Sequence, residues 1–313
     1  MGGMMAQITA ALVKELREQT GAGMMDCKTA LNETDGDMEA AIDWLRAKGL
    51  SKAAKKAGRA AAEGLIAVMN NDQRAVLVEV NSETDFVARN EDFQKLVSTI
   101  GEVALNMGGD RDSVGASTYP GSDKSVDEIV SEHVGSIGEN LQFRRMASLE
   151  HDGCIFGVYV HNAVVGDMGK IGVAVALNYA GDKREEVGAL AKQVAMHVAA
   201  TSPVCVEPEE VPADMISRER EVLTEQARQS GKPDNVIEKM IEGRIRKFYE
   251  EICLAKQTFV IDGENSVEKA LQIAGKELGG DITLSSFVRF ALGEGVEKEE
   301  TDFAAEVAAT AGA

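Results

Sequence analysis

The sequence predicts an α+β protein built around a repeated unit of two β-strands followed by a helix. Short alternating, β-branched runs at 65–69 and 75–80 precede apolar residues at helical spacing, and the same order returns at 154–160 and 171–177. The second helix, over 187–200, carries its own apolar stripe. We therefore expect a duplicated α+β core with antiparallel sheets.

Bulk properties restrict the classes of partner. The chain has 313 residues, a formal net charge of −19 and 4% aromatic residues. This length suffices for two or three domains that each bury a core. The acidic excess disfavours nucleic acid and anionic membranes because both repel negative charge. No run approaches the roughly 18 apolar residues of a membrane span. We expect no direct nucleic acid and no membrane among the partners.

The cysteines and the start of the chain indicate a cytoplasmic protein. The four cysteines lie far apart without a Cys-x-x-Cys pattern, which is typical of reduced and mostly buried thiols. Residues 1–7 resemble neither a signal peptide nor a transit peptide.

Residues 9–49 predict three short helices, with Thr9 capping the first and Gly49 ending the third. Met24 and Met25 stand side by side after a glycine-rich link. Two interpretations stay open: one methionine is core and the other merely exposed, or both form an adaptable contact surface. The basic, Ala-rich residues 50–63 predict a partly helical tether, with phosphate contact as the alternative.

The core is expected to divide into two subdomains, residues 64–145 and residues 146–210 with 253–295. The Gly-, Asp- and Ser-rich residues 106–124 predict a flexible loop between the halves, and residues 284–292 predict a further strand.

Residues 211–252 predict an inserted helical hairpin with a coiled-coil-like seam of apolar residues at steps of four and three. It is either a projecting spacer or docking arm, or a plain core hairpin. Residues 296–313 predict a C-terminal module, in which Thr301 caps a short helix that carries Phe303. So short a helix needs its own core or a partner to dock on.

The stretch 81–90 joins a strand to a helix. Ser82 or Thr84 is placed to cap that helix, and Asp85 and Phe86 fall in or next to its first turn. In one interpretation Asp85 caps the helix and Phe86 packs as a hydrophobic staple. In the other, the pair is an exposed acidic and aromatic probe.

Enzyme motifs are missing from the sequence. It contains no Gly-x-x-x-x-Gly-Lys-Ser/Thr loop, no Gly-x-Ser-x-Gly and no His-Glu-x-x-His. His197 is expected to be a satisfied structural residue, and His161 to end a strand where a tip contact is feasible. We expect no enzyme and no cofactor. The alternatives are a scaffold, or a thiol enzyme in which Cys27 would need a lowered pKa.

Six sequence blocks, in order, resemble the bacterial translation elongation factor Ts family from about residue 5 to residue 309. They lie at 20–28, 52–64, 84–87, 137–140, 229–233 and 296–307. The resemblance implies a guanine-nucleotide exchange factor for elongation factor Tu. It also implies a three-helix, ubiquitin-associated-like (UBA-like) domain at 1–49, a duplicated core, a coiled coil at 211–252 and a C-terminal helical module.

The resemblance further implies which residues meet elongation factor Tu. Thr84, Asp85, Phe86 and Val87 would reach its G domain and dislocate the Mg²⁺ of the bound nucleotide, with Phe86 as a wedge and Asp85 near the ion. The other implied contacts are Met24, Met25, His161 and Phe303. A single chain, a homodimer and a two-plus-two complex with Tu all stay open.

Overall fold

The computed structural model describes residues 8–20, 22–229 and 233–296. Its first part is a three-helix unit made of Ala10–Thr20 (α1), Met24–Glu33 (α2) and Met38–Lys56 (α3). The Thr9 hydroxyl accepts the Leu12 N–H at 3.2 Å, which confirms it as a cap. Six small or aliphatic side chains form the buried centre of this unit: Val13, Leu16, Cys27, Ala30, Leu31 and Ala41.

The first core unit starts with a β-hairpin and closes with a third strand. Its elements are Glu63–Asn70 (β1), Arg74–Ser82 (β2), Glu91–Met107 (α4), Arg111–Ala116 (α5), Val126–Ile137 (α6) and Gln142–Glu150 (β3). The β1–β2 hairpin and α4 were predicted, whereas β3 was not. The apolar faces of α4 and α6 cover one face of the β1–β2–β3 strands.

Two expectations for this region are wrong. Residues 106–124 are not simply a flexible loop, because they contain α5. Asp110 and Ser113 form a capping box at the start of this helix. Gly49 does not end its helix either, since α3 continues to Lys56. A Cβ added at Gly135 on α6 would lie 3.0 Å from the Gly49 Cα. Gly49 thus marks a close crossing of α3 over α6.

The second core unit repeats this plan with a helical hairpin inserted. Its elements are Ile155–Val165 (β4), Met168–Tyr179 (β5), Arg184–Thr201 (α7), Ala213–Arg228 (α8), Asp234–Ile252 (α9), Val267–Leu278 (α10) and Ile282–Ala291 (β6). Helices α8 and α9 form the predicted hairpin. Their mutual contact buries Leu223, Ala227, Ile237 and Ile245.

The repeat extends further than the sequence pattern indicated. Helices α6 and α10 are both capped by a serine, Ser125 and Ser266, and both end at a left-handed glycine, Gly138 and Gly279. Each is followed by the third strand of its unit. The duplicated element is therefore a hairpin, a helix, a second helix and a further strand.

The six strands form one continuous antiparallel sheet rather than separate sheets. Along the main path the order is β3-β2-β1-β5-β4, and β6 pairs with β5. The two units are joined by the pairing of β1 with β5 over only two residue pairs, Ile66 with Gly169 and Ala67 with Met168. The fold is α+β, as predicted. Among the described residues, no helix has the length and apolar character that a bilayer crossing needs.

Candidate partner-binding loop

An eight-residue connection, 83–90, links β2 to α4. Neither Ser82 nor Thr84 caps the helix, so that expectation is wrong. The cap is Asn90, whose Oδ1 accepts the Phe93 N–H at 3.1 Å. The helix begins late because residues 87–89 first make a separate 3-10 turn. Asp85 and Phe86 consequently lie outside the helix, in a preceding turn.

Phe86 is the most exposed large apolar side chain among the described residues, with 76% of its surface accessible. Asp85 beside it is exposed as well, while Val87 and Ala88 are buried in the core of the first unit. The staple interpretation is thus wrong for Phe86. The loop presents an acidic and an aromatic side chain to solvent and anchors itself through the next two residues.

The side chain of Glu139 binds Thr84, near the start of this loop. The Thr84 N–H donates to Glu139 Oε2 at 2.9 Å, and the Thr84 hydroxyl donates to Oε1 at 2.6 Å. Hydrogen bonds to a charged acceptor are shorter and stronger than neutral ones. Glu139 directly follows Gly138, the glycine that ends α6 in a left-handed conformation. The end of α6 therefore fixes the residue just before Asp85.

A reciprocal contact doubles this attachment. Glu83 Oε1 accepts the Asn140 N–H at 2.6 Å, and the Arg59 guanidinium lies 3.3 Å from Glu83 Oε2. The Asn140 side-chain amide in turn donates to the Arg59 carbonyl at 2.8 Å. Residues 83–84 and 139–140 thus exchange hydrogen bonds, which orders the start of the loop, while the burial of Val87 and Ala88 fixes its other side.

The second unit shows that the fold itself does not need such a loop. There the connection from β5 to α7 comprises only residues 180–183. At its start the Tyr179 hydroxyl donates to the Leu278 carbonyl at 2.8 Å, so this junction is tied to its own helix end, and its exposed side chains, among them Asp182 and Lys183, are not aromatic. The four additional residues of the first unit include the exposed Phe86.

A buried carboxylate lies further back on β2. Glu79 is fully buried and accepts hydrogen bonds from Arg145 at 2.6 Å, from Arg144 at 3.1 Å and from the Gly293 N–H at 2.9 Å. Burial raises the pKa of the Glu79 carboxyl, but the hydrogen bonds from Gly293, Arg145 and Asn81 together outweigh it and hold that pKa below its ordinary value.

The other expected contact residues lie on separate elements. Met24 and Met25 are both exposed, by 51% and 71%, at the start of α2, so neither serves as core. His161 is exposed and does not end its strand, because β4 continues to Val165. Its Nδ1 lies 3.2 Å from the Tyr159 hydroxyl. Phe303 lies outside the described residues.

The residues that order the loop are not among the site residues predicted from the sequence. They are Glu139, Glu83 and Arg59. The signal available in the sequence was the pairing of Gly138, a helix-ending residue, with an adjacent acid. Glu139 bonds a residue 55 positions away, which local periodicity does not encode.

Possible metal ligands and the buried His197 are the remaining groups to place among the described residues. Within them no group of three or more His, Cys, Asp or Glu side chains could hold a metal ion. His197 is buried, with Nδ1 accepting the Val260 N–H at 3.2 Å and Nε2 lying 2.9 Å from Gln257 Oε1. It is a satisfied structural histidine, as expected.

Comparisons with known proteins agree with the sequence blocks. A family model described as Elongation factor TS matches residues 83–294. Proteins named Elongation factor Ts are similar over nearly the whole chain. The one from Parvibaculum lavamentivorans is 60% identical over 98% of this chain and 99% of its own length. The one from Rhizobium etli is 58% identical over 97% of this chain and 99% of its own length. The one from Paramagnetospirillum magneticum is 57% identical over 98% of this chain and 98% of its own length. The chain belongs to the elongation factor Ts family of translation elongation factors.

Proposed function

We propose that this chain is a guanine-nucleotide exchange factor that binds elongation factor Tu in its GDP-bound form and promotes GDP release until GTP displaces the factor. The observation that carries the proposal is the exposed Phe86 on a loop anchored on both sides. Membership in the elongation factor Ts family supports Tu as the partner. In this role the chain catalyses no chemical step and needs no cofactor.

Phe86 acts as a wedge in this proposal. Exposing an aromatic ring to water is unfavourable by about 25 cal/mol per Å² of apolar surface, so a partner that covers the ring gains affinity. The hydrogen bonds at Thr84 and Glu83 order the loop before binding, which reduces the entropy lost on association. A preordered ring can push apart side chains of the Tu G domain.

Asp85 supplies charge beside the wedge. Mg²⁺ in nucleotide sites bridges phosphate oxygens to protein oxygens in a strict octahedral geometry. The Asp85 carboxylate near the ion, together with the displacement of the Tu residues that hold Mg²⁺, weakens that bridge and so lowers the affinity for GDP. Thr84 and Val87 serve the loop differently: Thr84 is tied to Glu139 and Val87 is buried, so both position the exposed pair rather than form its tip.

Further contacts would extend the interface. The exposed Met24 and Met25 fit an adaptable apolar contact of the N-terminal unit, which we infer to be UBA-like. His161 near the tip of the β4–β5 hairpin would face another domain of Tu, and Phe303 would act from the C-terminal module. We also assign the α8–α9 hairpin as a coiled coil, and the protein as cytoplasmic.

The domain assignment belongs to the same proposal. We retain a hairpin at 211–252 and a C-terminal module at 296–313. The three-helix domain was expected at 1–49 and the basic linker at 50–63, but α3 crosses that boundary and runs to Lys56, so the first part of the linker belongs to the last helix of the domain. The first core subdomain, proposed at 64–145, extends to residue 150, because β3 spans Gln142–Glu150 and pairs with β2. The second then comprises the rest of 146–210 with 253–295. Neither nucleic acid nor membrane is a partner, and a homodimer or a two-plus-two complex with Tu is compatible with this arrangement.

Exchange requires a thermodynamic balance between the two ligands of Tu. If the factor lowers the affinity of Tu for nucleotide, nucleotide lowers the affinity of Tu for the factor to the same extent, because the coupling free energy is reciprocal. GTP can therefore release the factor that drove GDP out. The loop must strain the nucleotide site strongly and still remain reversible.

The direct test measures release of a fluorescent GDP from elongation factor Tu by stopped flow, with and without this chain. The proposal predicts acceleration by orders of magnitude. Binding to Tu without acceleration would leave a scaffold, and no binding would remove Tu as the partner. Repeating the assay across Mg²⁺ concentrations with Asp85→Asn tests the charge, whose effect should shrink when Mg²⁺ is already scarce.

A further inference from the structure

Two cysteines meet at the base of the α8–α9 hairpin. Cys205 Sγ lies 3.6 Å from Cys253 Sγ, and the two residues are directly paired in a parallel backbone bridge. The Leu254 N–H donates to the Cys205 carbonyl at 2.9 Å, and the Val204 N–H donates to the Ile252 carbonyl at 2.8 Å. The chain segments that enter and leave the hairpin are therefore held together at this dithiol.

The backbone arrangement suits a covalent bond between the sulfurs. Paired chain segments lie about 5 Å apart, and disulfides span Cα separations of roughly 4.4–6.8 Å. The sulfurs need to approach to about 2.05 Å. Backbone hydrogen bonds on both sides of the pair fix the register, so rotation of the two side chains suffices.

The other cysteines lack this arrangement. Cys27 Sγ donates to the Ala22 carbonyl at 3.6 Å, and Cys154 Sγ donates to Asn178 Oδ1 at 3.0 Å. All four are free thiols and all are buried. Cys27 and Cys154 thus serve as internal controls for burial without a sulfur neighbour.

We propose that Cys205 and Cys253 form a modification site that a hydroperoxide converts into an intramolecular disulfide, which small thiols reverse. Cys205 reacts first, because its side chain is 8% accessible and that of Cys253 is not accessible at all. The Cys205 sulfur attacks the peroxide O–O bond, which yields a sulfenic acid and one water when hydrogen peroxide is the oxidant. The Cys253 sulfur then displaces the sulfenic oxygen as a second water. In sum, two thiols and one peroxide give one disulfide and two waters, and the sulfurs supply the two electrons.

The surroundings slow the reaction of the pair with peroxide. Burial raises the pKa of the Cys205 thiol; the hydrogen bond to Cys253 opposes this, and the nearby carboxylates of Glu210 and Glu207 add to it. Burial, together with the Cys205 sulfur, raises the pKa of Cys253 to about 12, against a small opposing effect of Lys256. Since the thiolate is the nucleophile, the site responds to sustained peroxide exposure rather than to brief contact.

The bond would change the hairpin and leave the Phe86 loop untouched. It closes a loop that contains both α8 and α9, which restricts the unfolded and locally opened states of this segment. The oxidised form should therefore resist proteolysis at the base of the hairpin while the first core unit is unaffected.

The test incubates the folded full chain with hydrogen peroxide, then unfolds it in denaturant, alkylates it with N-ethylmaleimide and examines it by mass spectrometry. We expect the loss of two of the four alkylatable thiols and a linked peptide pair that contains Cys205 and Cys253. After protease cuts the connection between α8 and α9, the halves should separate on a gel only under reducing conditions. Addition of dithiothreitol should restore four alkylatable thiols.

Variants separate the proposal from general oxidation. Cys205→Ser and Cys253→Ser should abolish the linked peptide, whereas Cys27→Ser and Cys154→Ser should keep it. The proposal is overturned if all four thiols can still be alkylated in denaturant after peroxide treatment of the folded chain, if Cys205 advances to sulfinic acid without a link, or if the bond joins two chains. Peptide mapping of the unsubstituted chain gives this answer even where a variant fails to fold.

Discussion

At the scale of single residues, two glutamates decide where the exposed loop points. Glu139 accepts both hydrogen bonds that Thr84 donates, and Glu83 accepts the Asn140 N–H. Each acid binds the segment that carries the other. The direction of Phe86 therefore depends on side chains that need not touch a partner.

Replacing Glu139 with alanine should reduce nucleotide exchange without removing Phe86. Thr84 loses its acceptors, at a cost of about 1–3 kcal/mol in folding stability if water does not replace them fully. We expect roughly a tenfold loss of accelerated GDP release, because the loop is no longer preordered. Stopped-flow release and thermal unfolding measure the two effects. Glu102→Ala, at an exposed position of α4, is the control, and unimpaired exchange by Glu139→Ala would show that the attachment is dispensable.

The sequence predicted the site at residue level only in part. The sequence offered Ser82, Thr84 and Asp85 as caps, whereas the observed cap is Asn90. All four have side chains that can accept an N–H within one short segment, and the pattern does not tell which of them faces the first free N–H groups. Exposure of Phe86 remained one of two interpretations, because it depends on the 3-10 turn that buries Val87 and Ala88 instead.

At the scale of elements, helices and hairpins follow from local periodicity, while exceptions arise where a distant contact intervenes. Strand β3 was missed because Arg144 and Arg145 interrupt its alternation. The pairing of β2 with β3 shifts register between Glu79 and Val80, and this bulge directs both arginines to Glu79. Likewise the sequence pattern predicts that the third helix ends at Gly49, whereas the glycine there permits the close crossing of α3 with α6.

The interior of α7 should make stability depend on pH through His197. Burial lowers the pKa of this imidazole, partly offset by the Gln257 hydrogen bond. The unfolded chain therefore takes up the proton first as pH falls below about 6.5, so the contribution of His197 is complete above that pH and is lost below it.

Denaturant unfolding at about pH 7.5 and 5.5 checks this prediction. His197→Gln should show a smaller loss of unfolding free energy between the two pH values than the unsubstituted chain. His161→Gln, at an exposed position of β4, should keep the original loss. Equal losses in all three proteins would contradict the assignment.

At the scale of the whole molecule, two copies of one plan share a sheet, and only the first carries the projecting loop. The copies are joined by the short β1–β5 pairing and by a buried apolar cluster with members from both units, among them Leu77 and Ala174. Glu79 adds a polar joint, because it binds Arg144 and Arg145 of the first unit and the Gly293 N–H that follows β6. The duplication was evident from the sequence. The single sheet was not, because two residue pairs leave no periodic signature.

Replacing Glu79 with alanine should destabilise the whole core. Removing one partner from a buried ion pair typically costs 3–5 kcal/mol. Because Arg144 and Arg145 keep 21% and 29% of their side-chain surface exposed, we expect about 3 kcal/mol in a urea titration. Glu150→Ala breaks an ion pair in which Glu150 is 46% and Arg74 18% exposed. Because Arg74 keeps the Leu105 and Asn106 carbonyls as acceptors, the cost should be only about 1 kcal/mol. Similar values for both variants would refute the role of Glu79 as a joint between the units.

In the proposed function, the exposed ring of Phe86 drives GDP release from elongation factor Tu. The most direct measurement compares stopped-flow GDP release from elongation factor Tu with the unsubstituted chain, with Phe86→Ala, and with Met107→Ala as a control at another exposed apolar position. We predict that the free energy of unfolding of Phe86→Ala lies within about 0.5 kcal/mol of that of the unsubstituted chain. The variant should nevertheless lose about 2 kcal/mol of the reduction in the activation free energy of GDP release, roughly 30-fold in rate. Met107→Ala should accelerate release fully. Full acceleration by a folded Phe86→Ala would contradict the wedge.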